Sequence, residues 1–437
     1  MQRSFSLVFL SAFLYFVLGF EPTTGVTLIL DTHLNNIPSH PQQHSPLAHE
    51  TEKTLMDSLH AIRERRLDAA LDGIETLIGT HPEFRLAQLI YGDLLLSKSQ
   101  LITSIGNWPN APRDKILGLR EEARQRVKHY LHRPYSILNN RHRNAQELDT
   151  LPGYLIRVGK NLGQAVIMDI GQSRFYAFEN HGAGIRLRGS YYASVGKNGF
   201  PKQSEGDQKT PIGVYLTVGS IPSDKLPDRY GVAAFPVNYP NEWDSRFGRT
   251  GHGIWIHGVP SNTYSRPPFS SDGCIAIANE DLLSMKDILA VPNTPVIIAE
   301  HVPWIDRREI TARHGQFETQ FDRWCRDWES QNHSRYAKHY SKEFQNETKN
   351  RASWLQSKRN INAEKRHIRV EVSNLSILGY PGERNTLVVI FDQDYRSNNY
   401  NRRSRKRQYW RWERNKTREA EDNPKDGVWR IVYEGSF

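Results

Sequence analysis

Cysteine is nearly absent. The 437 residues hold two, Cys274 and Cys325. That is too few for a disulfide framework, and pairing them would remove the one thiol that stands in a reactive setting. Metal chemistry is equally short of material. No Cys-x-x-Cys occurs, and His252, His257 and Cys274 show no local ligand spacing. Neither a metal nor another cofactor is expected. No helix-turn-helix, zinc-finger or RNP pattern is present, so nucleic acid is not an expected partner. The net charge of +10 still suits other polyanions, such as anionic lipid or an acidic polymer.

What is present points to folded domains. Hydrophobic residues make up 38% of the chain, with 10 Trp, 19 Tyr and 17 Phe, enough for a core in each of two or three domains. A basic start at Arg3 leads into an apolar run over residues 5–20, which has the shape of a secretory signal. The run is shorter than the ~20 residues of a spanning helix. Thr23, Thr24 and Gly25 offer small residues for cleavage, so residues 1–25 are read as a signal peptide, with an uncleaved anchor as the alternative. Either way the rest of the chain is expected to be exported. Residues 31–43 read as a linker. Over 45–135 apolar residues recur at helical spacing: Leu55, Leu59 and Ile62, then Leu67, Ala70, Leu71, Ile74 and Ile78. His81-Pro82 stops the second helix. The pattern is similar to a single tetratricopeptide-style hairpin, and reads as a packing or homodimerisation module.

At Gly153 the period changes. Short apolar strands are predicted over 154–158, 165–170, 174–178, 191–195 and 212–217. Residues 221–243 form a long excursion that either walls a groove or is an insertion. Asn279 is expected to cap a helix over 282–289, and 294–298 to close the domain. From 313 to 437 helices precede strands, an α+β unit expected to fold separately. Phe317, Phe321, Trp324 and Trp328 recur at helical spacing and place Cys325 in a core, while residues 396–406 read as a basic loop.

The chemistry concentrates in residues 253–279. His257 ends an apolar run, Ile254-Trp255-Ile256, that predicts a buried strand. Cys274 follows a Ser271-Asp272-Gly273 turn and precedes a second apolar run. A thiol with its ordinary pKa of about 8.5 is only a few per cent thiolate at neutral pH, and imidazole is its usual base. Taken singly, Cys274 is equally a small buried hydrophobe and His257 a core histidine. Together they suit nucleophile and base. Backbone N–H groups around Gly273 and Cys274 are candidate oxyanion donors. Ser271 either contacts substrate or braces the turn. Trp255 shares a strand face with His257, so it lines a groove or packs in the core. Lys209 and Arg266 are candidate partners for substrate carboxylates, or simply surface cations. His252 is a weaker candidate base.

Ile-His-Gly, a loop, then Ser-x-Gly-Cys resembles the signature of the L,D-transpeptidase (YkuD-like) catalytic domain family. Lys209-Thr210-Pro211-Ile212-Gly213 is similar to the Thr-Pro-x-Gly turn that precedes it. The resemblance covers about 151–306. Many members have His where Asp272 stands and Arg where Ala276 stands. The pattern here looks like the branch of cell-shape L,D-carboxypeptidases. The resemblance implies Cys274 as nucleophile, His257 as base and the Gly258 carbonyl as the group orienting the imidazole. It also implies peptidoglycan stem peptides as substrate, a periplasmic site, and cleavage between diaminopimelate and the terminal D-alanine. The alternatives are an L,D-transpeptidase forming 3-3 cross-links, and a non-catalytic wall-binding protein. Asp-Trp-Glu-Ser and Gly-Val-Trp-Arg-Ile-Val-Tyr-Glu in the last unit are similar to the nuclear-transport-factor-2-like cone. Its basic segment is a candidate contact for anionic wall polymer. The expected fold class is multidomain: an α-helical N-terminal region, a mostly-β catalytic domain and a C-terminal α+β cone.

Overall fold

In a computed structural model of the chain, the described residues are 50–98, 113–132, 150–160, 162–180, 184–383, 385–414 and 427–436. The signal peptide and the linker expected over 31–43 lie outside them. The first layer is helical: α1 (Glu50–Arg63), α2 (Leu67–Thr80), α3 (Arg85–Ser97) and α4 (Arg113–His132). Leu55, Leu59 and Ile62 are buried on one face of α1, and Ala70, Leu71, Ile74 and Leu77 on one face of α2. The spacing is that of an amphipathic helix. This helical core is not self-contained, because it includes Tyr264 and Ala278 of the central domain. An apolar face that reads in isolation as a packing or dimerisation surface is spent, at least in part, within the chain.

Strands follow in order: β1 (Thr150–Pro152), β2 (Leu155–Arg157), β3 (Gln164–Asp169), β4 (Arg174–Asn180), β5 (Ile185–Gly196), β6 (Gly213–Leu216), β7 (Ile221–Pro222) and β8 (Ala233–Pro236). After the short helix α5 (Glu242–Arg246) come β9 (Trp255–His257), β10 (Phe269–Ser271) and β11 (Ile275–Ile277). Helices α6 (Asn279–Ser284) and α7 (Lys286–Leu289), then β12 (Pro295–Ala299) and β13 (Trp304–Asp306), complete the central domain. Nine strands run β6-β12-β3-β4-β5-β11-β9-β8-β7, with β10 joined to β5. The strand expected to close the domain, β12, lies inside the sheet between β6 and β3, and β13 closes it by pairing with β1. The expected single helix over 282–289 is two short ones.

The C-terminal domain begins with α8 (Arg307–Glu329), α9 (His333–Ala337) and α10 (Arg351–Ala363). A sheet of β14 (Ile368–Gly379), β15 (Thr386–Ser397), β16 (Asn401–Arg414) and β17 (Gly427–Ser436) follows. The segment expected as a basic loop is the β15–β16 hairpin. Much of its charge is internally matched: Arg396 and Arg403 meet Asp394, and Arg405 meets Asp392.

The strand predicted over 154–158 forms, but in a different sheet. β2 pairs with β14, so a segment N-terminal to the central sheet supplies the fifth strand of the C-terminal one. One apolar cluster spans both domains, including Leu155, Ile167, Trp243, Leu378 and Tyr409. The indole of Trp243, fully buried, stacks on Tyr409 at 4.4 Å and 7°. Glu242 meets Arg407 beside it. The expectation of a separately folding C-terminal unit therefore fails on these contacts. Cutting near Asp306 would expose half of a shared core, where truncating one such buried aromatic to Ala alone costs about 3–5 kcal/mol.

Candidate active site

Strand β9 sits between β8 and β11. β11 runs parallel to it, with Ile275 opposite Ile256 and Ala276 opposite His257. Ile254, Ile256, Ile275 and Ile277 are in the central core. Period-2 alternation therefore turns Trp255, His257 and Ala276 to the other face. Cys274 stands one residue before β11, level with Trp255. Neighbouring strands are ~4.8 Å apart, so the register sets the thiol beside the strand that carries the imidazole. The backbone N–H of Trp255 donates to the Cys274 sulfur, and the thiol faces the Gly253 carbonyl at 3.4 Å.

The turn before the cysteine explains its own residues. Gly273 has φ +122°, and a Cβ there would meet the Lys209 carbonyl oxygen at 2.8 Å, so glycine is required. The buried Thr210 hydroxyl donates to the Gly273 carbonyl at 2.9 Å and accepts the Gly196 N–H at 2.9 Å. The Thr-Pro-Ile-Gly turn is thus tied directly to the cysteine turn. The Ser271 hydroxyl donates to the Cys274 carbonyl at 2.6 Å and accepts the Gly273 N–H at 3.1 Å. Ser271 therefore braces the turn. The Gly273 N–H is already committed and does not suit an oxyanion hole.

His257 is 2% exposed. Its Nδ1 lies 2.6 Å from the Gly258 carbonyl oxygen. A carbonyl only accepts, so Nδ1 carries the proton and Nε2 of the neutral ring holds a lone pair. Burial pushes the imidazole down to about 4, against the pull of the Gly258 bond, and the Arg266 charge lowers it further. The Tyr230 ring meets His257 edge-on at 5.1 Å and Trp255 at 4.9 Å. Tyr230 comes from the long excursion, which here does wall the site.

Asn279 fixes the carbonyl that holds the imidazole. Its Oδ1 accepts the N–H of Val259 at 3.1 Å and of Val232 at 3.3 Å, and its Nδ2 donates to the Val259 carbonyl at 2.9 Å. A Cβ on Gly258 would collide with that Oδ1. The expected helix cap at Asn279 is absent. Ala278 precedes α6, and the amide is spent on this clamp.

Two family models match the sequence. Residues 163–298 match the L,D-transpeptidase catalytic domain (YkuD), and 316–420 match the Cds6 C-terminal NTF2-like domain. The central domain is an L,D-transpeptidase catalytic domain. Bd1075 of Bdellovibrio bacteriovorus, a solved structure, is 26% identical with a TM-score of 0.56, over 66% of this chain and 98% of that one. Pgp2 of Campylobacter jejuni, a helical cell shape determining protein, is 23% identical with a TM-score of 0.53, over 67% and 97%; that likeness is one of fold. No curated protein matches the sequence.

In this L,D-transpeptidase domain the remaining candidates fall into two groups. Near the thiol are Trp255, partly exposed against Tyr230, and Arg266, whose Nη2 donates to the Arg229 carbonyl at 2.9 Å. The Arg266 charge acts on both Cys274 and His257. Lys209 contributes mainly backbone there: its carbonyl packs on Gly273 and its N–H donates to Asp207 at 3.1 Å. Away from it is His252, an exposed side chain 3.4 Å from Glu205. Asp272 is exposed and pairs with Lys197 at 3.0 Å. Ala276 is buried directly across from His257, so an arginine there would lie against the imidazole. Sequence reasoning gave Thr210 no role beyond its turn motif and Asn279 none beyond a helix cap, and it missed Tyr230 and the buried Lys202, whose Nζ donates to Asp207 at 2.7 Å. Asp207 also accepts the N–H groups of Gln203 and Ser204, which staples the loop beside the cysteine turn. The described residues include no group of three or more His, Cys, Asp or Glu placed to hold a metal ion.

Proposed function

We propose that this chain is a periplasmic cysteine acyl-transfer enzyme that trims peptidoglycan stem peptides. It cleaves the bond between diaminopimelate and the terminal D-alanine. The observation that carries the reading is the 2.6 Å bond from His257 Nδ1 to the Gly258 carbonyl, on the strand in parallel register with the one Cys274 precedes. It leaves Nε2 as the basic nitrogen.

Burial holds the thiol up and the imidazole down, so the resting pair is neutral. Charge is created only as the reaction starts. Nε2 takes the thiol proton while sulfur attacks the diaminopimelate carbonyl and the C–S bond forms. With the Gly273 N–H committed, the Cys274 N–H is the oxyanion donor that this turn offers. Nε2–H then protonates the departing amine, the C–N bond breaks and D-alanine leaves. Water, deprotonated by Nε2, attacks the thioester. Tripeptide leaves and the thiol regains its proton. Such proton transfers contribute on the order of 10²–10⁴-fold.

Hydrolysis is favoured over transfer to a second stem by two observations. Ala276 supplies no cation, and the Lys197 charge beside the cysteine turn is taken up by Asp272 at 3.0 Å. Incubation of the purified protein with disaccharide-tetrapeptide tests this. D-alanine plus tripeptide is expected; dimers joined between diaminopimelates would assign transpeptidation instead, and no product at all would favour a binding role.

A further inference from the structure

The loop joining β9 to β10 leaves the sheet at Gly258 and returns at Phe269. Its far side rests on the N-terminal helices. The Tyr264 ring is 4.7 Å from His81 and 4.4 Å from Phe84, in the helical core. The Ser265 hydroxyl donates to Glu122 of α4 at 2.5 Å. Gly118 of α4 lies so close to Pro267 that a Cβ there would be 2.9 Å from its Cγ. Glu122 is fixed in turn by Arg126 at 3.0 Å, and Arg126 lies 3.9 Å over the Tyr192 ring. The Tyr192 hydroxyl donates to the Arg266 carbonyl at 3.0 Å. Three of the residues flanking Arg266 are thus held by the helices. Arg266 alone reaches the opposite way, to the carbonyl of Arg229, next to the tyrosine that packs on His257.

We propose that the N-terminal helices are part of the active site: through Tyr264, Ser265 and Pro267 they hold Arg266 beside Cys274 and His257 as the anchor for a substrate carboxylate. Guanidinium–carboxylate recognition depends on orientation, because the fork binds two oxygens at once. A fixed backing is therefore worth more here than added charge. The helices lie outside both family-model matches, which begin at residue 163. Which carboxylate is held rests on the proposed function; the fixed cation beside the thiol does not.

Paired alkylation of Cys274 separates the two ideas. Iodoacetate carries a carboxylate and iodoacetamide does not, so their rate ratio reads the cation at the thiol. Arg266→Gln is expected to lower that ratio at least about threefold, from the loss of one nearby charge. Ser265→Ala and Gly118→Val disturb the loop from different sides, and should move the ratio toward the Arg266→Gln value with iodoacetamide rates within about twofold of the parent. Thermal melts identify the folded variants, and Ser265→Ala, which removes one hydroxyl, decides if Gly118→Val does not fold. A parental ratio in folded Ser265→Ala, or in Arg266→Gln, overturns the proposal. A shifted ratio in a protein that does not trim tetrapeptide keeps this proposal and removes the reaction assigned above.

Discussion

Cys274 and Cys325 occupy similar dielectric surroundings and differ in what adjoins them. Both thiols are pushed up by burial, Cys325 to about 12. Cys325 lies on α8 against an aromatic core, with Asp322 and Glu329 raising its pKa further. Cys274 receives the Trp255 N–H and feels the charges of Arg266 and Lys202. It also stands beside a strand whose histidine has one nitrogen tied down and one available. Burial alone makes an inert thiol. What makes a candidate nucleophile is strand register plus a fixed tautomer.

The sharpest break of this comparison is Cys274→Ala, expected to cut turnover of tetrapeptide by at least about a thousandfold. Retained turnover in the folded variant would falsify the assignment. The next test is pH. A histidine pushed down to about 4 stays neutral, and so able to accept a proton, well below the ordinary value of 6.5. The acid limb of kcat/KM should fall near 4, with about tenfold loss one unit below it; a limb near 6.5 would mean the ring is hydrated. Between those values the unfolded chain binds a proton that the folded chain does not, so this group makes stability rise with pH. Asn279→Ala removes the clamp behind Gly258 without touching the thiol or the imidazole. Loss of these bonds predicts about tenfold lower kcat with iodoacetamide labelling still confined to Cys274; unchanged kcat would show that the carbonyl holds its place unaided. Cys325→Ser should change turnover less than about twofold while costing roughly 1 kcal/mol of stability, read from a denaturant melt.

Much of this was legible in the sequence. His257 after an apolar run, and Cys274 after a turn that needs glycine, carry their signal locally. So do the helical spacing of Leu55, Leu59 and Ile62 and the alternation of the central strands. What was not legible depends on distant partners. A three-residue strand such as β2 looks the same whichever sheet it joins. Nothing beside Ser271 says that its hydroxyl turns back to Cys274, and nothing beside Asn279 says that its amide clamps a loop rather than caps α6. The basic segment around Arg403 read as a loop because the aspartates that neutralise it lie on the preceding strand.

The pairing of β2 with β14 also sets a clock. Leu155 meets Leu378, a residue synthesised about 220 positions later, or some 10–45 s at typical elongation rates. Until then the fifth strand has no partner, and Leu155 and the inner face around Trp243 lie uncovered. A chain released or cut between residues 306 and 378 carries every residue of the cysteine site but not the surface that supports it. The protein's order of assembly therefore makes its last-made domain the one that completes its second strand.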